Sequence, residues 1–163
     1  MPDLTEDIIK TFGHRLRLRV SGISIVDDKI LLVKHTSIGV NGILYAPPGG
    51  GLSYGESVQE TLVREMKEET NLEVVPRRFL FVNEYLDLPL HAIELFFEIE
   101  IKGGQLLKGT DPEMSKEKQI IREVGYYSIE EIRQGDPADY HGIFNKIIVL
   151  KDFFSLTGFF SKE

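Results

Sequence analysis

With 163 residues, 42% of them hydrophobic, the chain is long enough for one globular domain over residues 1–163 with a sizeable core. Its formal net charge of −7 argues against a nucleic-acid partner, and the absence of cysteine excludes disulfides and thiolate metal sites. The acidic opening MPDLTEDIIK has no apolar signal-peptide core and aliphatic runs elsewhere are short, so we expect a cytoplasmic protein with no membrane partner.

The first predicted elements in chain order are a helix and a pair of strands. Residues 1–14 are predicted to form a short amphipathic helix or an ordered arm. Arg15 to Val26 alternates basic and apolar residues, as a strand with one solvent-facing side does, and Lys29 to Lys34 is predicted as its antiparallel partner. The acidic pair between them, Asp27-Asp28, forms the predicted turn.

A loop and a short strand are predicted next. The loop covers His35 to Gly42 and the strand covers Ile43 to Ala46. The prolines Pro47-Pro48 and the glycines Gly49–Gly51 follow, and regular structure is expected to stop there because proline lacks an amide donor and glycine favours turns.

A glycine-rich turn then leads into a helix that is rich in glutamate. Ser57 followed by Glu60 matches a capping box, which predicts that the helix begins just after Glu56. Apolar residues at intervals of four predict that one face packs against the rest of the protein. Asn71 is predicted to end the helix in the left-handed conformation.

Three carboxylates crowd one stripe of this helix. Glu65, Glu68 and Glu69 fall within about 100° of one another in a helical projection, and the only nearby cation is Arg64. Like charges at these spacings each cost about 0.2–0.5 kcal/mol. A hard divalent cation such as Mg²⁺ would relieve that repulsion and would suit a phosphate substrate. The alternative is a solvated acidic surface.

The stretch from Gly50 to Leu72 resembles the Nudix box of the Nudix hydrolases. Glu56, the pair Arg64-Glu65 and the pair Glu68-Glu69 stand at the spacing of the box, and one position departs from it, because Asn71 replaces a glycine. Asparagine tolerates the same positive φ, so we expect the helix end to survive. The resemblance implies an α+β fold, an α/β/α sandwich with a mixed β-sheet.

The resemblance also implies roles for individual residues. A Mg²⁺ or Mn²⁺ ion would be held by glutamates of the stripe and by one backbone carbonyl. The implied ligands are Gly50, Glu65, Glu68 and Glu69. Glu68 or Glu69 would also act as the base, and the three glutamates with Arg64 are the predicted catalytic residues. Glu56 would pair with Arg64 to orient the loop on the helix.

Beyond the helix, strands separated by breaks are predicted. Leu72 to Val75 and Phe79 to Leu86 are predicted strands, with Pro76 interrupting them. His91 to Ile101 is the clearest strand after the box. Gly109 to Lys118 is polar and turn-rich, and is predicted to be a mobile loop.

The last third of the chain is predicted to return to the sheet and close with a helix. Ile120 to Tyr127 is a predicted strand, Ile129 to Arg133 a short helical turn begun by Ser128, and Ala138 the start of an amphipathic helix. Four phenylalanines are expected to pack in the core or as a lid, with a homodimer interface as the alternative: Phe153, Phe154, Phe159 and Phe160.

Further site residues are predicted outside the box. Nudix hydrolases often take another carboxylate from a later loop, and the candidates are Asp111, Glu113 and Glu117, each of which could equally be an exposed loop charge. His91 and Glu94 lie on or beside a strand that could line the pocket.

The predicted function is metal-dependent hydrolysis of a nucleoside diphosphate linked to another moiety. ADP-ribose or a nucleotide sugar and a nucleoside triphosphate all remain open as substrates. The alternative is a catalytically silent Nudix-fold module that senses a nucleotide. Retention of every box carboxylate favours the enzyme.

Overall fold

In the part of the chain that the structure describes, strands are the most abundant regular structure, and three α-helices accompany them. The computed structural model describes residues 2–161, with side chains from residue 6 onward, so Met1 and residues 162–163 of the predicted domain lie outside the described residues. The α-helices are α1 (Pro2–Phe12), α2 (Val58–Thr70) and α3 (Ile129–Gln134). The strands are β1 (Arg15–Ile23), β2 (Ile25–Val26), β3 (Lys29–Thr36), β4 (Ile43–Ala46), β5 (Gly49–Gly51), β6 (Leu72–Asp87), β7 (Leu90–Gly104), β8 (Ile121–Ser128) and β9 (Phe159–Ser161).

The strands form two sheets. The first has the order β5-β1-β7-β6-β9 and is mixed, because β1 runs parallel to β7 while β6 and β7 form a long antiparallel hairpin. In the second sheet β3 is central. Strand β8 pairs along most of β3, β2 pairs with its beginning and β4 with its end, all antiparallel. The predicted α+β class with a mixed sheet is confirmed.

Two predictions for the first half of the chain need correction. The predicted strand at Arg15 to Val26 is two strands, and only β2 pairs with β3 across the turn at Asp27-Asp28, whereas β1 enters the other sheet. The glycines Gly49–Gly51 do not end regular structure. They form β5, antiparallel to β1, because a strand without side chains can lie close against both β1 and α2.

Two predictions for the second half were also wrong. Pro76 does not divide a strand, because β6 runs through it with irregular pairing between Pro76 and Phe81. The predicted helix from Ala138 is instead a series of 3₁₀ turns at Pro137–Asp139, Gly142–Lys146 and Leu150–Phe154. The predicted helix α1 and the capped turn α3 are confirmed.

Two buried clusters hold α2 and the sheets together. One cluster joins β1, β3, β6 and β7 to the C-terminal turns, and in it Phe81, Phe96 and Phe153 are almost fully buried. The other packs Leu62 and Met66 of α2 against residues of both sheets. Phe153 is buried, as predicted for core packing of the phenylalanine stripe, whereas Phe159 is exposed, and the alternative of a homodimer interface stays a prediction. Among residues 2–161, no helix has the length and apolar character needed to cross a membrane.

Candidate functional site

Helix α2 is defined at both ends by the predicted caps. The Ser57 hydroxyl accepts a hydrogen bond from the Glu60 amide, and the Glu60 carboxylate accepts one from the Ser57 amide. Asn71 has φ 61°, and its amide donates to the Lys67 carbonyl at 3.0 Å. Asparagine therefore serves the helix end where the Nudix box has glycine.

Strand β5 lies directly against the glutamate face of α2. The Gly49 amide donates to Glu69 Oε2 at 2.9 Å. A Cβ atom added to Gly50 would lie 2.1 Å from Glu65 Cδ, so only glycine leaves room for that carboxylate. The three-glycine stretch thus places two of the three glutamates.

Arg64 donates hydrogen bonds to the other carboxylates on and beside this face of α2. Its Nε and Nη2 donate to Glu56 at 2.7 and 2.9 Å, and its Nη1 donates to Glu65 and Glu68 at 2.8 and 3.1 Å. The two hydrogen bonds from Arg64, with one from Thr61, lower the pKa of Glu56 to about 2. The Arg64 guanidinium therefore spans the loop and the helix, as the resemblance implied.

Arg64 alone does not balance the negative charge of the three glutamates on this face of α2. Burial, followed by the charge of Glu69, raises the pKa of Glu65 to about 7, even though Arg64 opposes the shift. Carboxylate oxygens are the ligands that Mg²⁺ and Mn²⁺ prefer, so the donor chemistry fits such an ion. Within the described residues, however, no three acidic or histidine side chains already converge on one point.

Two arginines of β1 line the same cavity. Arg19 Nη2 donates to the Gly49 carbonyl at 3.2 Å, and the Arg17 guanidinium lies 4.2 Å from the centre of the Phe12 ring. Burial, followed by the charge of Arg19, lowers the pKa of Arg17 to about 10, so it remains cationic at neutral pH. The sequence analysis did not propose these residues as part of the site, although the alternation RLRLR places both arginines on one face of the strand.

A loop after β7 is tied to the C-terminal end of α2. The amides of Leu107, Gly109 and Thr110 donate to carbonyls of the last helical turn at 2.8–3.2 Å. This attachment brings two of the predicted loop carboxylates to the cavity, Asp111 and Glu113, and Glu113 lies 3.7 Å from an arginine of β1. Burial raises the pKa of Asp111.

The third candidate of this loop, Glu117, is not among the residues that line the cavity. Its place in a short 3₁₀ turn, Lys116–Lys118, leaves it away from the glutamate face.

We expect Gly109→Ala to detach the loop from α2. Its new Cβ would lie 1.6 Å from the Glu68 carbonyl oxygen, and backbone cannot move aside cheaply. The free energy of unfolding in urea should fall by about 1–3 kcal/mol, because the loop loses its hydrogen bonds to the last turn of α2. Gly142→Ala is the control, because a Cβ atom there meets nothing within 4 Å. Equal stability of the two variants would contradict the attachment.

A buried polar group forms the base of the cavity. Glu94 Oε2 accepts hydrogen bonds from Asn83 Nδ2 at 3.0 Å and from His141 Nε2 at 2.8 Å. Nearby, His35 Nδ1 lies 3.2 Å from the Leu44 carbonyl, an arrangement in which the ring donates, and His35 Nε2 lies 4.0 Å from Glu69 Oε1.

Asn83, His141, His35 and Leu44 come from four separate segments, and the sequence analysis did not single them out as site residues, whereas it named Glu94 and Glu69. His91 also lines the cavity, as predicted, and its Nε2 lies 3.0 Å from Glu84 Oε1.

Lowering the pH should remove the stability that the ionised Glu94 carboxylate gives to the fold. Burial alone would raise the pKa of Glu94, but His141, Arg19 and Asn83 together lower it. A carboxylate with a lowered pKa stabilises the fold above its unfolded pKa of about 4.3, and the effect is lost as the pH falls through the folded pKa.

We therefore expect the Tm of the wild type, followed by circular dichroism, to fall more steeply between about pH 5 and pH 3 than the Tm of Glu94→Gln. Parallel slopes would contradict the lowered pKa.

The whole site is one cavity of about 210 Å³. Its lining combines the α2 glutamates and β5 with the β1 arginines, the loop carboxylates Asp111 and Glu113, and Glu94. Carboxylates that attract a divalent cation and arginines that attract phosphate therefore face the same space.

The chain is similar in sequence to proteins of known family. The sequence model of the NUDIX domain matches residues 15–146. An ADP-ribose pyrophosphatase from Methanocaldococcus jannaschii is 39% identical over 94 residues, covering 56% of this chain and 55% of that protein. The NAD-capped RNA hydrolase NudC from Pectobacterium carotovorum is 24% identical over 110 residues, covering 68% of this chain and 38% of that protein. The chain thus spans about half the length, or less, of these relatives.

Solved structures show the same fold at low sequence identity. A NUDIX hydrolase from Nitrosomonas europaea superposes with a TM-score of 0.68 at 20% identity, covering 86% of this chain and 89% of that one. An ADP-ribose pyrophosphatase from Streptococcus suis superposes with a TM-score of 0.59 at 21% identity, covering 88% and 98%.

Proposed function

The chain belongs to the NUDIX family, and from that membership we propose that it hydrolyses a nucleoside diphosphate linked to another moiety. Water attacks one phosphorus, the anhydride bond to the bridging oxygen breaks, and the products are a nucleoside monophosphate and a second phosphate compound. Residues 1–163 would form the single domain that carries this activity. A cytoplasmic location and a homodimer belong to the same proposal.

The observation that supports the proposal most directly is the shared cavity of the α2 glutamates and the β1 arginines. Arg17 and Arg19 would hold the diphosphate, since guanidinium groups bind phosphate oxygens in pairs of hydrogen bonds. Glu68 and Glu69 line the same cavity, where one of them would accept the proton of the attacking water. The loop carboxylate Asp111 is the next candidate for that proton.

Mg²⁺ or Mn²⁺ is the proposed cofactor. Glu65, Glu68 and Glu69 would hold the ion, with the Gly50 carbonyl as a further ligand, and some rotation of these side chains away from Arg64 would accompany binding. When bound, such an ion neutralises charge on the phosphate oxygens and lowers the pKa of water.

ADP-ribose is the first substrate to test. The relative from M. jannaschii is named an ADP-ribose pyrophosphatase, and nucleotide sugars and nucleoside triphosphates follow as further candidates. The chain spans only 55% of that relative, so its name is a guide to the substrate panel and not an assignment.

The test is a hydrolysis screen over ADP-ribose, nucleotide sugars, dinucleoside polyphosphates and nucleoside triphosphates, with and without Mg²⁺ or Mn²⁺, in which chromatography follows release of the nucleoside monophosphate. Release that depends on the ion supports the hydrolase. Nucleotide binding without turnover, measured by calorimetry on the same panel, would support the sensing module in its place. Release that is unchanged by a chelator would contradict the role given to the metal.

A further inference from the structure

One carboxylate of the cavity has no part in the hydrolysis proposed above. Glu94, on β7, is only 6% exposed, and its Oε2 is occupied by the hydrogen bonds from Asn83 and His141. Its Oε1 lies 3.9 Å from Arg19 Nε, beyond hydrogen-bonding distance. No donor in the described part of the chain forms a hydrogen bond with Oε1.

That unoccupied oxygen opens to the cavity. Glu94 is a lining residue, and among residues 6–161 the only fully buried side-chain polar atom without a partner is Ser37 Oγ. Glu94 Oε1 is therefore not sealed in the interior. A buried carboxylate with one free oxygen facing a cavity is costly unless a ligand or water donates to it.

Surrounding residues hold Glu94 in a fixed orientation. The Ile143 amide donates to His141 Nδ1 at 3.3 Å, so Nε2 carries the proton that His141 donates to Glu94. The rings of Phe96 and Tyr85 lie 5.8 and 6.0 Å from the His141 ring and enclose the group on its apolar side. The carboxylate is thus positioned before any ligand arrives.

Glu94 lies beside Arg19, while its donor His141 borders a second and more acidic space. His141, Tyr85 and Leu44 also line an adjoining cavity of about 400 Å³, whose lining includes the acidic residues Glu84 and Asp87 and the basic residue Lys146. Carboxylates repel phosphate and accept hydrogen bonds from neutral hydroxyl and amino groups. A neutral part of the substrate suits this end of the site, and a further phosphate does not.

We propose that Glu94 is a specificity residue whose Oε1 accepts a hydrogen bond from a neutral hydroxyl or amino group of the substrate, beside the diphosphate. Asn83 and His141 are the positioning residues. This assignment deepens the proposed function and rests on it for the presence of a diphosphate. The donor group has two sources, an amino group of the base or the hydroxyls of a sugar.

Glu94→Gln tests the contact with little change of shape. The glutamine oxygen can keep the hydrogen bonds from Asn83 and His141, which turns its NH₂ group toward the cavity and replaces an acceptor by a donor. We expect KM to rise about tenfold or more, with kcat at saturation changed by less than about threefold. Glu94→Asp keeps the charge but withdraws the oxygen, and should raise KM in the same direction.

Glu98→Gln is the matched control. It makes the same change of charge four residues along β7, where the carboxylate accepts from Arg78 Nε at 2.6 Å and lines neither cavity. Circular dichroism melting of all three variants checks that each is folded.

Calorimetry with AMP, IMP and ribose 5-phosphate in Mg²⁺ identifies the donor group. Weaker binding of AMP alone by Glu94→Gln supports the amino group, and weaker binding of ribose 5-phosphate or of both nucleotides supports hydroxyls. Affinities equal to those of Glu98→Gln would overturn the assignment, as would a wild type that binds none of the three. A wild type that binds them but releases no product in the substrate screen would instead contradict the proposed hydrolysis.

Discussion

Replacing Glu68 or Glu69 with glutamine is expected to lower kcat by about 10²–10³-fold, because each change removes a carboxylate proposed to hold the cation and to accept the proton of the attacking water. Both carboxylates line the cavity, and Glu69 also accepts the Gly49 amide hydrogen bond. The glutamine oxygen can still accept that bond, so the Tm should change little. Glu73→Gln is the control, because Glu73 is exposed and pairs only weakly, at 3.5 Å, with Lys67.

Steady-state kinetics on whichever substrate the release screen identifies, with Mg²⁺ at saturation, measures this effect. If both glutamine variants keep kcat within about tenfold of the wild type, the role assigned to the α2 glutamates is wrong. If they lose kcat but also unfold at a much lower temperature, the loss is one of stability, and the Tm measured on the same samples separates the two cases.

Gly50→Ala is expected to lower kcat by about 10²-fold while the protein stays folded. The new Cβ would lie 2.1–2.4 Å from the carboxylate atoms of Glu65, which sit at the end of a flexible side chain and can swing away. Gly50 is not among the positive-φ glycines, so alanine suits its backbone. Displacing a catalytic group by about 1 Å is enough to cost about 10²-fold in rate.

Gly51→Ala is the matched control for that substitution. It adds the same methyl group on the same strand, but its Cβ would meet only Arg17 Nη2 at 3.5 Å, an ordinary contact. We expect its kcat and Tm to stay near those of the wild type. Equal loss of activity in the two alanine variants would show that any methyl group on β5 lowers the rate, and that displacement of the Glu65 carboxylate is not the cause.

Local interactions explain why the glutamate helix could be predicted from the sequence. The capping box at Ser57, the left-handed end at Asn71 and the stripe of Glu65, Glu68 and Glu69 each depend on residues within one or two helical turns. The start of the helix and its chemical character followed from those spacings alone. The ion pair of Arg64 with Glu56 was instead implied by the resemblance to the Nudix box.

Predictions failed where partners distant in the sequence decide the outcome. The glycines of β5 look like a turn, yet β1 supplies a strand partner thirty residues away and α2 packs against them. The spacing after Ala138 suits a helix, but packing against the sheets favours short 3₁₀ turns that bury Phe144 and Phe153. The spacing of apolar residues predicts which residues are buried better than it predicts their backbone conformation.

By itself, the sequence determined the capped helix, its three crowded carboxylates and the family they indicate, because those features depend on neighbours within a few residues. Only the tertiary structure decided what faces them. It brought Arg17 and Arg19 from β1, Asp111 from a tethered loop, and Glu94 with its donor His141 into one cavity, while Asn83 holds Glu94 from outside the lining. Those residues are far apart along the chain, so no local pattern could specify their meeting, which depends on the pairing of β1 with β7 and of β7 with β6 in one sheet.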